Sequence, residues 1–288
     1  NSRLVREVKG KTTKPYEKSR LVIQAYNDEG KLEILTQSPT IQRASQRMMV
    51  MIAPSLIKGY DMALWLRDIT QAYTQSTSCL ERLICARLPD PLKHEYPDNY
   101  IMVVLKPLYG VPEAGTHWFA TYHKHHIEKL SMATSTYDPC LLITQTPGIF
   151  GMVGMQTDDT LILAQEKFAQ LEEKELIFTA KPKEKLTTEA PLIFNGCVLN
   201  LNDDGSMDLR QNGQGKKLEI VPTTTKEDGD EEQKQEYMRQ RARGAYIATI
   251  CQPEASFDLS IAAQHQNPLK TDITALNKRI EWQLKNQD

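Results

Sequence analysis

Two adjacent aspartates, Asp158 and Asp159, stand between two runs that read as strands, Ile149 to Met155 and Thr160 to Ala164. Neighbouring carboxylates at a hairpin tip repel each other, so their ionised forms are costly unless a cation neutralises them. Mg²⁺ does this most directly, because it takes carboxylate oxygens and keeps positions open for water and phosphate. Read alone, the pair is better explained as a polar hairpin turn, since Asp tolerates turn geometry. A third carboxylate changes that balance. Asp68 closes an apolar strand in which Met62, Leu64 and Leu66 alternate with Ala63, Trp65 and Arg67. If this strand lies beside the hairpin, three carboxylates converge. Two Mg²⁺ ions held there, roughly 3.5–4 Å apart, would activate a hydroxyl and stabilise a departing pyrophosphate. Phosphoryl transfer leaves a protein mostly positioning and charge neutralisation. Lys18 and Arg20, on a strand in a basic arm, are candidates for the cations on the triphosphate side.

The elements that must position these residues follow from periodicity and breakers. Residues 1 to 17 read as a flexible or edge segment, followed by strands Lys18 to Tyr26 and Lys31 to Leu35 around the turn Asn27-Asp28-Glu29-Gly30. A helix over 40–52 places Ile41, Ala44, Met48 and Met51 at helical spacing. After Asp68 a helix is expected over 70–77, then strands over 83–88 and 100–106. Pro112 to Leu130 reads as a long amphipathic helix with Trp118, Tyr122, His126 and Leu130 at i, i+4 spacing. Further strands are expected over 140–144 and in the Asp158 hairpin, then a helix over 168–179. Leu192 to Leu201 and Met207 to Arg210 read as a hairpin around Asn202-Asp203-Asp204-Gly205. Helices over 231–250, 255–263 and 273–286 complete an α+β order with a helical C-terminal part.

Bulk properties bound the class. At 288 residues, 40% apolar and 25% charged, the chain has the composition of a globular protein with room for one to three lobes. Apolar runs such as Met48 to Ala53 are too short to span a bilayer, so no membrane partner is expected. The five cysteines are odd in number and widely spaced, which fits a reduced, intracellular protein without a disulfide framework or structural zinc. The net charge of −2 argues against a nucleic-acid partner, but its distribution softens this. Residues 1–24 are locally +5 and residues 226–236 locally −4, so a cationic face for phosphates survives the cancellation. His123 and His126 lie one turn apart, yet no third ligand of suitable spacing is visible. They read as an exposed helix face with His126 partly packed.

Eight blocks, in order, are similar to the reverse transcriptases of copia-type LTR retrotransposons. Lys18-Ser19-Arg20-Leu21-Val22 resembles the family's fingers strand, and Asp68-Ile69-Thr70-Gln71-Ala72-Tyr73 its first aspartate block. Lys106-Pro107-Leu108-Tyr109-Gly110-Val111-Pro112-Glu113-Ala114, with Trp118 following, resembles its Leu-Tyr-Gly block. Tyr137-Asp138-Pro139-Cys140-Leu141, Gln156-Thr157-Asp158-Asp159 and Asn195-Gly196-Cys197-Val198 match three strands. Arg243-Gly244-Ala245-Tyr246-Ile247-Ala248 and Pro253-Glu254-Ala255-Ser256-Phe257-Asp258 look like its thumb helices. The similarity runs from about Lys18 to Gln283.

The resemblance implies an RNA-directed DNA polymerase shaped as a right hand. Its palm would be an antiparallel sheet plus helices. The expected parts are fingers and a basic arm over 1–60, palm with part of the fingers over 61–191, a primer-grip-like hairpin over 192–222, an acidic loop over 223–236 and a helical thumb over 237–288. Asp68, Asp158 and Asp159 would bind two Mg²⁺ ions. Lys18 and Arg20 would touch the incoming nucleotide, Tyr73 would gate against a 2′-hydroxyl, and Glu113 would lie in a block near template and nucleotide. The partners would be an RNA or DNA template with its primer, and dNTPs. The family makes RNase H, integrase and protease as parts of one polyprotein, and none of their motifs appears here. The chain is thus expected to be the polymerase portion, in the cytoplasm, in virus-like particles or in the nucleus. Two departures stand out: Gln156-Thr157 replaces the family's Tyr and apolar residue, and Glu113 replaces Gln. An added carboxylate near phosphates is unfavourable unless a cation pairs with it. On that basis Glu113→Gln is expected to raise primer extension or leave it unchanged. These departures, with the low net charge, favour a rival of another class: a degenerate or domesticated protein that keeps the fold and binds nucleic acid or a partner without catalysis.

Overall fold

The two runs flanking Asp158 do pair, and the strand ending at Asp68 lies beside them. The structure, a computed structural model, describes residues 1–10, 14–223 and 231–286. Lys11 of the basic arm and residues 224–230 of the acidic loop lie outside them. The chain divides into two compact units, residues 1–183 and 184–288.

In the first unit, β1 (Ser2–Lys9) pairs antiparallel with β2 (Tyr16–Ile23), in register from Ser2↔Ile23 to Lys9↔Tyr16. Ser2–Lys9 is therefore an edge strand of a two-stranded sheet, one of the two alternatives that the sequence offered for this segment. Residues 31–35 do not extend as expected. A 3-10 turn covers Glu29–Glu33, and Leu32 and Leu35 stay exposed, so no apolar face rewards a strand there. Helix α1 spans Arg43–Tyr60 and runs through Pro54, beyond the expected end at 52. Proline normally stops a helix, but Ala53 beside it is fully buried, and α1 packs on β3 (Met62–Asp68). Burial at the site wins over local propensity.

Past β3 the expected helix is only a 3-10 turn, Ala72–Gln75, entered through a left-handed Gln71. Strands β4 (Ile84–Arg87) and β5 (Ile101–Val104) form a hairpin. Helix α2 spans Ala114–Leu130, followed by β6 (Met132–Thr134), β7 (Leu141–Thr144), β8 (Gly151–Gln156), β9 (Asp159–Gln165) and α3 (Glu166–Glu175). Five of these strands lie in the order β3-β9-β8-β7-β6, every pair antiparallel. Both faces of β8 are covered. A side chain at Gly154 would meet Ile41 and Met49, and one at Gly151, on the other face, the ring of Phe168. Two-sided burial explains why β3, β8 and β9 read as nearly continuous apolar runs. Helix α3 ends four residues before the expected 179. The chain then runs along the end of β3, with the Thr70 amide donating to Thr179 O at 2.9 Å. Pro182 disfavours a helical Lys181 and supports this extension.

The second unit opens with the two-residue strand β10 (Glu184–Lys185). Strands β11 (Leu192–Phe194), β12 (Cys197–Leu201) and β13 (Met207–Gln211) form a three-stranded antiparallel sheet. The expected single strand over 192–201 is broken at Asn195-Gly196, both with positive φ (47° and 80°), which makes a tight two-residue turn. Helices α4 (Glu231–Ile250), α5 (Ser256–Ala262) and α6 (Lys270–Lys285) enclose a core that includes Leu218, Tyr237, Leu259, Ile273 and Ile280. Asn277 binds both the amide and the carbonyl of Val221 at 2.8 Å, which ties the chain before α4 to α6. Among the described residues no helix is long and apolar enough to cross a membrane.

Candidate functional site

Asp68 is the last residue of β3, and its register partner is Asp159, the first of β9. Antiparallel partners sit about 4.5–5.5 Å apart, so sheet register alone brings these carboxylates together. Asp158 occupies the turn between β8 and β9, and its carbonyl accepts the Ile69 amide at 2.9 Å. All three aspartates thus sit at one end of the sheet. The turn is tight: Gln156 pairs with Asp159, and Thr157 takes φ +57°. Positive φ at the first turn position normally selects glycine, and a β-branched residue there is strained. Trp118 of α2, buried at 1% exposure, donates its indole N–H to Thr157 O at 2.7 Å.

The strand end is anchored from below. Arg67, 1% exposed, makes two 2.9 Å bonds to Glu172, a further contact with Glu173, and a 3.0 Å bond to Lys181 O. Lys183 completes the cluster at 2.9 Å from Glu172. Burial works against ionisation of Glu172, but Arg67 and Lys183 outweigh it and hold the carboxyl below its usual range. The Lys181 amide donates to Asp68 O at 2.9 Å, and its ammonium sits on the Asp68 carboxylate. Among the described residues, no group of three or more His, Cys, Asp or Glu side chains is arranged to hold a metal ion. Asp68 here is engaged by a lysine.

The surroundings of Asp158 hold its carboxyl above the usual range. Although the residue is exposed, the atoms packed around its carboxyl strip enough water to raise its pKa. The Asp68 charge raises it further, and Lys18 and Lys181 only partly offset this. Hard oxygen donors that repel each other in this way fit Mg²⁺.

Lys18 and Arg20 flank the site on β2. The Arg20 guanidinium lies 5.7 Å from the ring centre of Tyr109 and 3.7 Å from Glu7, and its Nε is buried without a hydrogen-bond partner. Tyr73 stands 5.2 Å from Tyr109, centre to centre. Burial raises the pKa of both phenols, and the Asp158 charge adds to it. Gly110 makes this approach possible: its φ is +82°, and a Cβ there would fall 2.0 Å from Ile23 O. The Ile23 amide donates to Tyr109 O at 2.8 Å, so the Leu108-Tyr109-Gly110 turn rests directly on the end of β2.

Lys18, Arg20, Tyr73, Asp68, Asp158 and Asp159 are therefore brought to one place. Glu113 is not bonded into that group. It stands at the N-cap position of α2, 6% exposed, and its carboxylate grips Arg82 through two bonds of 2.6 and 2.9 Å. Arg82 makes two more bonds to Asp28, at 2.8 and 2.6 Å. Burial opposes ionisation of Glu113, yet Arg82 keeps its pKa low. The cation that the sequence required for this carboxylate is thus a residue 31 positions upstream. The histidines of α2 do not form the expected exposed face, because His125 and His126 turn into the core: His126 is 1% exposed and bonded at Nδ1 to Tyr122 O at 2.8 Å, and burial pushes its pKa down to about 4. His123 binds Thr134 separately, at 2.8 Å.

Sequence reasoning missed Lys181, Arg82, Tyr109 and the holding roles of Trp118 and Arg67. Tyr109 and Trp118 lay inside a recognised block. Arg82 and Lys181 carried no signal, since each looks like an ordinary surface cation until the fold closes.

No family model matches this chain, and no curated protein does. Among solved structures, the foamy viral protease-reverse transcriptase dRH in complex with ds DNA is similar at a TM-score of 0.45 and 11% identity. The alignment covers 99% of this chain and 44% of that one, so the chain spans less than half of that neighbour's length.

Proposed function

We propose that this chain is an RNA-directed DNA polymerase that extends a primer with dNTPs by two-metal nucleotidyl transfer. The observation that carries the reading is the register Asp68↔Asp159 with Asp158 at the adjoining turn, faced by Lys18, with Arg20 beside it over Tyr109. In this reading Asp68, Asp158 and Asp159 would hold Mg²⁺, which would supply charge neutralisation and lower the pKa of the primer hydroxyl. Lys18, Arg20 and Lys181 take the triphosphate, with Lys181 turning from Asp68 to a phosphate oxygen. The Tyr73–Tyr109 pair forms an apolar floor for the sugar, and Tyr73 is the gate against a 2′-hydroxyl. The primer 3′-hydroxyl gives its proton to solvent water, its oxygen bonds to the α-phosphorus, and the bond from that phosphorus to the bridging oxygen breaks so that pyrophosphate leaves. Template and primer are RNA or DNA, the hairpin within 192–222 grips the primer, and the helices within 237–288 act as the thumb.

The test is extension of a DNA primer on an RNA template, comparing the parent chain with Asp158→Ala. Incorporation by the parent and none by the variant is expected. A parent inactive in both Mg²⁺ and Mn²⁺ would sink the enzyme reading. Salt-dependent primer–template binding without incorporation would establish the non-catalytic binding protein instead. The Asp68–Lys181 contact is the feature that favours this second reading.

A further inference from the structure

We infer that α2 carries a positioning pair for the aspartate hairpin, Trp118 and Tyr122; its catalytic consequence rests on the polymerase reading above. The two residues lie four positions apart, so their side chains share one face of the helix. Their rings stack with centres 5.0 Å apart at an interplanar angle of 17°. Both are fully buried, and Phe178 packs edge-on against each, at 5.2 and 5.6 Å. From this stack two polar atoms reach opposite sides of the turn. The Trp118 indole takes the carbonyl of Thr157, immediately before Asp158, at 2.7 Å. The Tyr122 hydroxyl accepts from Thr160, immediately after Asp159, at 3.1 Å. Asp158 and Asp159 are thus bracketed by two bonds to a single rigid stack.

The bracket has something to hold. Thr157 occupies a left-handed conformation that a β-branched residue avoids, so the turn's own preferences do not fix it. Asp158 and Asp68 also repel each other across the site. Any buried indole N–H or phenol needs a partner, and here both partners lie on the hairpin, one on each side of the aspartate pair. The polar atoms set the depth and tilt of the hairpin, and hence the spacing of its carboxylates from Asp68.

The test replaces Trp118 in the full chain with 3-benzothienylalanine, which keeps the bicyclic shape and lacks the N–H donor. Thr160→Val, which keeps the shape and deletes the hydroxyl, is the companion variant should the first fold poorly. Three quantities are read: amide hydrogen exchange over Thr157–Asp159, Mn²⁺ affinity by electron paramagnetic resonance, and kcat and KM for dNTP. Faster exchange is expected, with Mn²⁺ affinity and kcat lowered about 10- to 100-fold while KM stays unchanged. Unaltered exchange, affinity and kcat would overturn the positioning role. If the parent neither extends a primer nor binds Mn²⁺, the polymerase reading fails by itself. Exchange over the turn then decides the bracket: acceleration supports it, and no change overturns it.

Discussion

Asp158 and Glu113 are carboxylates whose surroundings push in opposite directions, and their pH signatures differ in sign. The Asp158 pKa is raised above 3.8. Between that value and the raised one, the folded state holds more protons than the unfolded state, so stability falls as pH rises through the window. Asp158→Asn should therefore raise the melting temperature at pH 7 while abolishing incorporation. A lower melting temperature would contradict the burial and the Asp68 charge that disfavour the ionised carboxyl. The Glu113 pKa is lowered below 4.5, so its contribution is present above that value and is lost as pH falls through the lowered one. Removing this charge leaves Arg82 half-partnered, and Glu113→Gln should cost about 1–3 kcal/mol in urea denaturation. The sequence alone made this substitution neutral or beneficial for extension. The difference lies in Arg82, whose approach to Glu113 depends on tertiary folding.

The elements around the site show where local sequence suffices and where it does not. Alternation and apolar runs marked β3, β8 and β9 because these strands are buried on both faces. The Asn195-Gly196 turn was legible too, as the strongest short hairpin signal, but the more conspicuous Asn202–Gly205 cluster drew the reading away from it. The extension of α1 through Pro54 was not legible, since it depends on a packing partner elsewhere in the chain. Neither was the run of 179–181 along β3, which delivers Lys181 to Asp68. That run is pinned by the Arg67–Glu172–Lys183 cluster. Glu172→Gln, which leaves the buried Arg67 and the half-buried Lys183 with Glu173 as their remaining carboxylate, should destabilise the first unit by about 1–3 kcal/mol, read as a lower urea midpoint. At the other wall of the site, Gly110→Ala should cost more than about 1 kcal/mol and raise KM for dNTP. Its Cβ would collide with Ile23 O, and the turn carrying Tyr109 would lift off β2.

For the whole molecule, the small net charge conceals segregation. The β1–β2 ribbon is basic, with Arg3 and Arg6 exposed, although its internal pairs Arg6–Glu17 and Lys9–Glu7 consume part of that charge. If the ribbon meets the nucleic-acid backbone, the logarithm of the binding constant for primer–template should fall linearly with the logarithm of salt concentration. Changing Arg3 and Arg6 to Glu should then reduce the slope by about two, as measured by fluorescence anisotropy. An unchanged slope would place the backbone contacts elsewhere. The division into units 1–183 and 184–288 was not legible as a boundary, because no linker composition marks residues 183 and 184. The candidate site residues all fall in the first unit.

The bond from Trp118 to Thr157 ends on a peptide carbonyl, a group that every amino acid carries. Selection acting through that bond is therefore blind to the side chain at 157 and strict about the donor at 118. This gives the hairpin a route for sequence change: the side chains at 156 and 157 can vary while the aspartates keep their station. In a saturation library scored for function, position 157 should accept many residues, with glycine and asparagine enriched by the left-handed backbone. Position 118 should accept almost none.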